Sequence, residues 1–392
     1  MRIQTGELAK GSYHRKLTLT FVESVLSFGD NPPVKLSRTI RRFLPVTARL
    51  QARLLGSSTI PDCASEIIEL APAVDRWQPA PIALPGEFDR VVAVQEETTP
   101  AMERERLREG NRRHAPTIAY RMDGAVLAGG TLYYGDGFEV IRKSSKRLIL
   151  NGHWDHFAEM QLCSGYVIER YFGHWATDGL ALELLAAQRS VPGLKPAGTP
   201  WMHEPGYREL CGLPVTRSDN AWVDRLWVID DRGTNNGWIS RIEEVRRRVR
   251  SAAAPNGPKR VMLTRGTLGA KRSLINSSQV HEALIRLGFD IVHPELETAR
   301  GLAEKLCGVE IAIAVEGSAQ DHCWLAMPPQ STFVAIQPPT RFNAHGKMRA
   351  DAIGINFAFI VADPHPDGFC LPTDRLLRTI DEVMRAAASR HS

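Results

Sequence analysis

The sequence predicts an α/β protein of two domains, and three observations carry the prediction. Residues 261–337 alternate between short apolar runs and amphipathic segments in the order β-α-β-α-β-α-β, half of a doubly wound sheet. A length of 392 residues exceeds one small domain and suits two of ordinary size. Between the halves, Ser251-Ala252-Ala253-Ala254-Pro255-Asn256-Gly257-Pro258 is the best linker in the chain, which places the boundary near residue 255.

Hydrophobic residues make up 43% and charged ones 24%, enough for each domain to bury a core. A formal net charge of +5 suits anionic ligands or a lipid surface, and no zinc-finger spacing or aromatic RNA motif argues for nucleic acid. The six cysteines are widely spaced without a C-x-x-C, as in a reducing compartment. No secretory signal is visible in residues 1–15, and no run reaches the ~20 apolar residues of a membrane span. The expectation is a cytoplasmic protein, soluble or peripheral.

Residues 1–60 read as an N-terminal extension. Within them, residues 34–53 carry six basic residues and no acidic one, interleaved with apolar residues. Such a stretch can lie on an anionic membrane surface at the inner face of the membrane, or pack on the core with a solvated basic face. From residue 61 to 151 the pattern turns to strands: residues 66–70 and 89–94 are short and β-branched, residues 102–114 suggest a charged helix, and residues 124–137 and 138–149 suggest short strands. His153-Trp154-Asp155-His156 admits either a metal reading or a turn between strands.

Residues 166–169 read as a strand, and Tyr171-Phe172-Gly173-His174-Trp175-Ala176-Thr177-Asp178 leads into a helix. His174 and Asp178, four apart, share a helix face, either as a pair poised for proton abstraction or as a capping Asp beside a packed His. Residues 226–229 suggest a further strand and 239–250 a basic helix.

In the second half, Val261-Met262-Leu263-Thr264 is a strand, followed by Arg265 and a Gly-containing loop through Arg272. Val280, Ala283, Leu284 and Leu287 mark a helix that Gly288 ends. Residues 289–292 form a strand stopped by Pro294, residues 298–306 a helix, and Ile311-Ala312-Ile313-Ala314-Val315 a central parallel strand covered on both faces. Residues 332–336, 357–361 and 373–388 supply two strands and a C-terminal helix. Ligands of open α/β sheets bind outside the carboxyl ends of the strands. Arg265, Pro294, Glu316-Gly317-Ser318 and Gln337 occupy that edge, where Gly317-Ser318 lets backbone approach an anion and Arg265 and Arg272 offer forked donors. The edge reads as a site for a phosphorylated ligand, a nucleotide in particular, or as a Rossmann-like half with surface arginines and no bound phosphate. Neither G-x-G-x-x-G nor Walker A spacing is present.

Two separated stretches resemble glycosyltransferase family 61, in the form found in bacterial surface-polysaccharide enzymes. Residues 171–178 are similar to its His-Trp-x-x-Asp motif; Leu263-Thr264-Arg265, residues 272–276 and Leu287-Gly288-Phe289 resemble its strand, arginine and helix sequence. Glu316-Gly317-Ser318-Ala319 with His322 and Met327-Pro328-Pro329 resembles its nucleotide-binding turn, although many members have His-Gly-Ala-Gly there. The resemblance covers residues 62–385 and implies a glycosyltransferase B type fold, two Rossmann-like domains facing a cleft. Its domains would be 61–255, carrying the acceptor side and catalytic base; 256–345, binding the nucleotide sugar; and 346–392, completing the fold.

The resemblance further implies inverting transfer from a UDP-sugar to a glycan or lipid-linked acceptor, with no cofactor and no metal. Asp178 would be the base with His174 as partner or substitute. Arg265, Arg272, Gly317 and Ser318 would hold the diphosphate, and Glu316 and His322 the ribose or donor sugar. Two other readings compete: a sugar-nucleotide epimerase of the same architecture, and a non-catalytic glycan- or nucleotide-binding subunit.

Overall fold

In the computed structural model, which describes residues 44–143, 153–254, 257–266 and 272–389, the chain builds two sheets with helices between them. Helix α1 (Leu44–Leu55) leads to β1 (Glu66–Ala71), β2 (Val74–Gln78), α2 (Pro100–Leu107), β3 (Gly110–His114), β4 (Thr117–Ala128), β5 (Thr131–Tyr134) and β6 (Gly137–Val140). Then follow β7 (Asp155–Leu162), α3 (Tyr166–Arg170), α4 (Leu180–Gln188), β8 (Gly193–Pro196), α5 (Glu204–Cys211), β9 (Thr216–Ser218), β10 (Asn220–Asp230) and α6 (Asn236–Ser251). The strand order is β6-β5-β4-β10-β7-β8-β9, with β1 also on β4. It is a mixed sheet. β10 runs antiparallel to β4 and parallel to β7, so only the β7, β8 and β9 side has the parallel, helix-connected character of a Rossmann unit.

The second sheet is wholly parallel, in the order β12-β11-β13-β14-β15. Its elements run β11 (Arg260–Leu263), α7 (Ser277–Arg286), β12 (Asp290–Val292), α8 (Ala299–Leu306), β13 (Ile311–Val315), α9 (Asp321–Ala326), β14 (Thr332–Gln337), α10 (His345–Ala352), β15 (Asn356–Val361) and α11 (Thr373–Ala388). Every residue of β13 and β14 is buried, as their unbroken apolar runs require.

The two sheets share one core. Trp175, Leu180, Trp238 and Val245 from the first half meet Leu302, Trp324, Phe333 and Phe342 from the second, and residues 44–392 accordingly pack as a single unit. The far face of the second sheet is closed by Leu376, Ile380 and Val383 of α11. The segment before α2 straps the halves together: Ile82 N donates to Phe357 O at 2.9 Å, Val92 N to Pro339 O at 2.7 Å and Gln95 N to Phe342 O at 3.0 Å.

Four local expectations change. Residues 166–169 are helical, not a strand; Tyr171 N donates to Val167 O at 3.0 Å, and an apolar run this short does not distinguish a period of 2 from one of 3.6. Residues 89–94 contain the end of a 3-10 turn and then loop, because the amides of Val92 and Ala93 serve the second sheet's Pro339 carbonyl rather than a ladder. The charged helix stops at Leu107, and Gly110 opens β3, which pairs with β2. Residues 124–137, expected as short strands, divide between the end of a long β4 and β5, and of residues 138–149 only those up to 143 are described, where β6 ends at Val140. Of the basic stretch 34–53, only residues from 44 on lie within the described residues; there Ala48 is buried and Arg49 stands 5.5 Å from the centre of the Tyr133 ring.

Candidate functional site

β7 ends at Leu162, and α3 and the turn after it carry the chain to His174 at that strand's carboxyl edge. Residues Trp175–Gly179 form a π-turn ahead of α4, a wider turn of the kind found at functional sites. It is anchored by the fully buried Trp175, whose ring lies 5.6 Å from the Arg208 guanidinium and 5.9 Å from Lys195 Nζ. His174 and Asp178 thereby face each other, with Nδ1 and Oδ2 2.7 Å apart. Thr177 Oγ1 donates to Gly173 O at 3.0 Å and to Asp178 Oδ1 at 3.3 Å, fixing the carboxylate plane.

At the carboxyl ends of the second sheet, Arg265 follows β11, Pro294 follows β12 and Glu316 follows β13. Arg265 and Arg272 both donate to Glu316 O, Arg265 at 3.3 Å. The Glu316 carboxylate is buried and paired with Arg272 at 2.8 Å and with Arg341 at 3.1 Å. Burial pushes Glu316 upward, opposed chiefly by Arg272 and then Arg341. Burial likewise pulls Arg272 down to about 10, opposed by Glu316, and the Arg272 Nε hydrogen has no acceptor among the described residues. Gly317 adopts φ 141°, and a Cβ built there would stand 2.1 Å from Arg265 Nη1 and 2.3 Å from Arg272 Nη1. Only glycine leaves both guanidiniums this access. Gly317 passes into a 3-10 turn, Ser318–Gln320, before α9. Gln337, at the end of β14, is spent on structure: its amide clasps the backbone of Asn343 at 2.9 and 3.1 Å.

The fold brings these two constellations together. Asp321, at the start of α9, sits so close over Gly173 that a Cβ there would lie 2.1 Å from Asp321 Oδ2. Arg349 of α10 reaches both sides, with Nη2 2.8 Å from Asp178 Oδ2 and Nη1 3.3 Å from Asp321 Oδ1. His322, by contrast, is buried in an aromatic group with Phe172, His203 and Tyr207; its Nδ1 is 2.8 Å from Tyr207 Oη, and burial pushes it down to about 3. It is a neutral ring among aromatic neighbours. His153 and His156 pair separately, with Asp155 at 3.1 Å and Asp224 at 3.0 Å. Among the described residues, no group of three or more His, Cys, Asp or Glu could hold a metal ion. None of their helices is long and apolar enough to cross a membrane.

Sequence reasoning missed Arg341, His345, Arg349 and Asp321. Arg341 was legible as a basic residue in the loop after β14, on the carboxyl edge that already drew attention to Gln337. His345 and Arg349 stand four apart on α10, the same spacing as His174 and Asp178. Asp321 lay inside the quoted turn but had no sequence signal separating it from its neighbours.

Asp321 carries a consequence for stability. Burial raises its carboxyl from 3.8 to about 7, against the pull of Arg349. The folded value exceeds the unfolded one, so between about pH 4 and pH 7 the folded protein keeps a proton that the unfolded chain releases, and stability falls as pH rises. The loss across that window is at most about 4 kcal/mol. Thermal unfolding of wild type and Asp321→Asn should give similar midpoints near pH 4 and a relative fall of the wild type that grows up to pH 8. A constant difference would remove the assignment.

A mixed α/β fold that sets paired His and Asp beside an arginine-lined turn on a parallel sheet's carboxyl edge has the parts a glycosyltransferase needs. Residues 172–334 match the family described as Glycosyltransferase 61. The protein is a glycosyltransferase, and this segment belongs to family 61. The match includes His174, Asp178, Arg265, Arg272 and the Glu316–His322 turn, and it ends before Arg341, His345 and Arg349. No curated protein matches the chain.

Proposed function

We propose that the protein is an inverting glycosyltransferase of the glycosyltransferase B type, using a UDP-sugar to extend a glycan or lipid-linked acceptor in surface-polysaccharide synthesis at the cytoplasmic side of a membrane. The observation that carries the reading is the convergence of Arg265, Arg272 and Arg341 on the Glu316-Gly317 turn, beside the His174–Asp178 pair.

Inverting transfer needs a base on the acceptor hydroxyl and charge stabilisation on the departing diphosphate. Asp178 is held well below the usual carboxylate range: burial pushes it up, but Arg349 and His174 more than offset that. A carboxylate so firmly ionised is a weak base and a strong orienter. It accepts from His174 Nδ1–H, which leaves Nε2 with the lone pair. In this reading the acceptor oxygen gives its proton to His174 Nε2 and forms the new bond to the anomeric carbon. The bond to the diphosphate breaks on the opposite face, and the diphosphate leaves with the electron pair. The guanidiniums receive that charge, in the role that a divalent cation has in metal-dependent transferases. The Arg272 Nε–H, which has no acceptor among the described residues, offers one donor for it. Glu316 keeps the three cations from repelling one another while the site is empty.

Calorimetric titration with UDP and a panel of UDP-sugars, with and without chelator, tests the proposal. Micromolar binding that survives the chelator is expected, and the tightest sugar names the donor for acceptor assays. Absence of binding by every uridine nucleotide would overturn the donor reading.

A further inference from the structure

We infer that Arg349, on α10 beyond the family segment, is a positioning residue for transfer: its guanidinium holds the Asp178 carboxylate where it orients His174 and ties that pair to Asp321 at the foot of the donor turn. The inference rests on the transferase reading and gives Arg349 a positioning role that the reading does not assign.

The geometry is that of a fork between two carboxylates. Nη2 donates to Asp178 Oδ2 at 2.8 Å, and Nη1 to Asp321 Oδ1 at 3.3 Å. The same Nη2 lies 3.1 Å from His174 Nδ1, a contact in which only the guanidinium can donate, whereas the shorter 2.7 Å contact of Nδ1 with the Asp178 carboxylate calls for the ring proton on Nδ1; of the two, the shorter contact to the charged acceptor is the one the ring proton serves. That arrangement is satisfied when His174 carries its proton on Nδ1. It fixes the tautomer that leaves Nε2 open to a hydroxyl. A lysine, with one nitrogen at the end of a flexible stem, does not set the spacing of two carboxylates as a planar guanidinium does.

α10 is held firmly enough for this task. Ala344 N donates to Glu103 Oε2 at 2.7 Å, Gln337 clasps Asn343, and Lys347 and Asp351 form a buried pair at 2.5 Å. The Arg349 side chain is only 5% exposed and that of Asp321 4%, with Asp178 at 28%. Burying the Arg349 guanidinium costs several kcal/mol before pairing with Asp178 returns part of it, and apolar residues of like volume are often as stable as such a pair. The arrangement is therefore better explained by orientation than by stability.

Among the described residues, Tyr171 faces the dyad with its ring 6.0 Å from that of His174, and the charge of Asp231 acts on Asp178. Thr177 stands on its own turn, Asp321 comes from α9, and Arg349 and His345 come from α10. The His345 ring is 5.4 Å from that of His174 and is held well below its usual value by burial, so it stays neutral. Burial pushes Asp178 up, and Arg349 is the largest of the influences that bring it down. Without Arg349 the Asp178 carboxyl should take up a proton at higher pH.

The test uses Arg349→Lys, Asp321→Asn, Arg349→Met and the double variant Arg349→Met/Asp321→Asn, in which removal of both charges guards against misfolding. Thermal midpoint, UDP affinity, pH–rate profiles for transfer, and imidazole nitrogen NMR of His174 are read for each. The double variant should melt near Asp321→Asn and bind UDP within about threefold of it, yet show kcat lower by about 100-fold from lost orientation. Arg349→Lys should restore little. In the wild type the NMR signature should be the Nδ1–H tautomer, replaced in Arg349→Met by a mixture. A double variant with kcat within about threefold of Asp321→Asn would show a merely structural role and overturn the inference. A wild type that binds and transfers nothing defeats the transferase reading separately; the NMR arm then decides alone, and a tautomer unchanged by Arg349→Met overturns the assignment.

Discussion

Asp178→Asn is expected to lower kcat for sugar transfer by about 10³-fold while leaving UDP affinity within about twofold of wild type. The change is nearly isosteric, but it replaces an acceptor-only carboxylate by an amide whose NH₂ cannot accept from His174 Nδ1–H. One Asp178 oxygen stands 2.7 Å from Nδ1 and 2.8 Å from Arg349 Nη2, so the two nitrogens share it. An amide turned so that its oxygen keeps one of these bonds still lacks the charge that Arg349 answers. The imidazole is then free to put its proton on Nε2, and no lone pair faces the acceptor hydroxyl. None of these atoms belongs to the arginine-lined turn, so donor affinity and kcat separate. Steady-state kinetics with calorimetric UDP binding checks this. Transfer at the wild-type rate removes Asp178 from the chemistry, and a parallel loss of UDP affinity would mean that the two constellations do not act as distinct sites.

The second sheet was legible because its residues obey simple rules. Ile311–Val315 is uniformly apolar and uniformly buried, and Thr373–Ala388 carries its apolar stripe at helical spacing onto the sheet. The carboxyl-edge rule then placed Arg265, Glu316 and Gly317 at one end without any coordinates. The first sheet was harder to read. Its long β4 pairs with three strands, and contact across 100 residues between β4 and β10 leaves no local pattern. Strand β7 begins inside His153-Trp154-Asp155-His156, where polar residues exposed on an edge masked the period of 2. The site divided along the same line. His174 and Asp178 declared themselves by local spacing, and the Glu316 turn by its glycine. Arg349 is 171 residues from the carboxylate it grips, and nothing in a single sequence reports that contact. Glu316 also differs from its expected place beside the ribose or sugar: its carboxylate is committed to Arg272 and Arg341, a role that only the side-chain geometry discloses.

Gly317→Ala should reduce UDP affinity by about 100-fold, with loss of transfer following from an unfilled donor site. Two physical costs add. At φ 141° an alanine is strained by ~1–3 kcal/mol, a conformation that glycine adopts freely. The new methyl carbon would also stand 2.1 Å from Arg265 Nη1 and 2.3 Å from Arg272 Nη1, so both guanidiniums must withdraw. Such side-chain ends ordinarily move at little cost. Here they are held, because Arg272 is pinned to the Glu316 carboxylate at 2.8 Å and both arginines donate to the Glu316 carbonyl. Moving them leaves a buried carboxylate with Arg341 as its remaining partner and takes two forked donors from the place proposed for the diphosphate. Strain in one turn lowers stability modestly, whereas displaced donors weaken nucleotide binding directly, and the two effects are separable. Melting followed by titration with UDP reads both: a variant that melts within a few degrees of wild type yet binds UDP 100-fold more weakly supports the proposed diphosphate site, and unchanged UDP affinity in a folded variant places the diphosphate elsewhere.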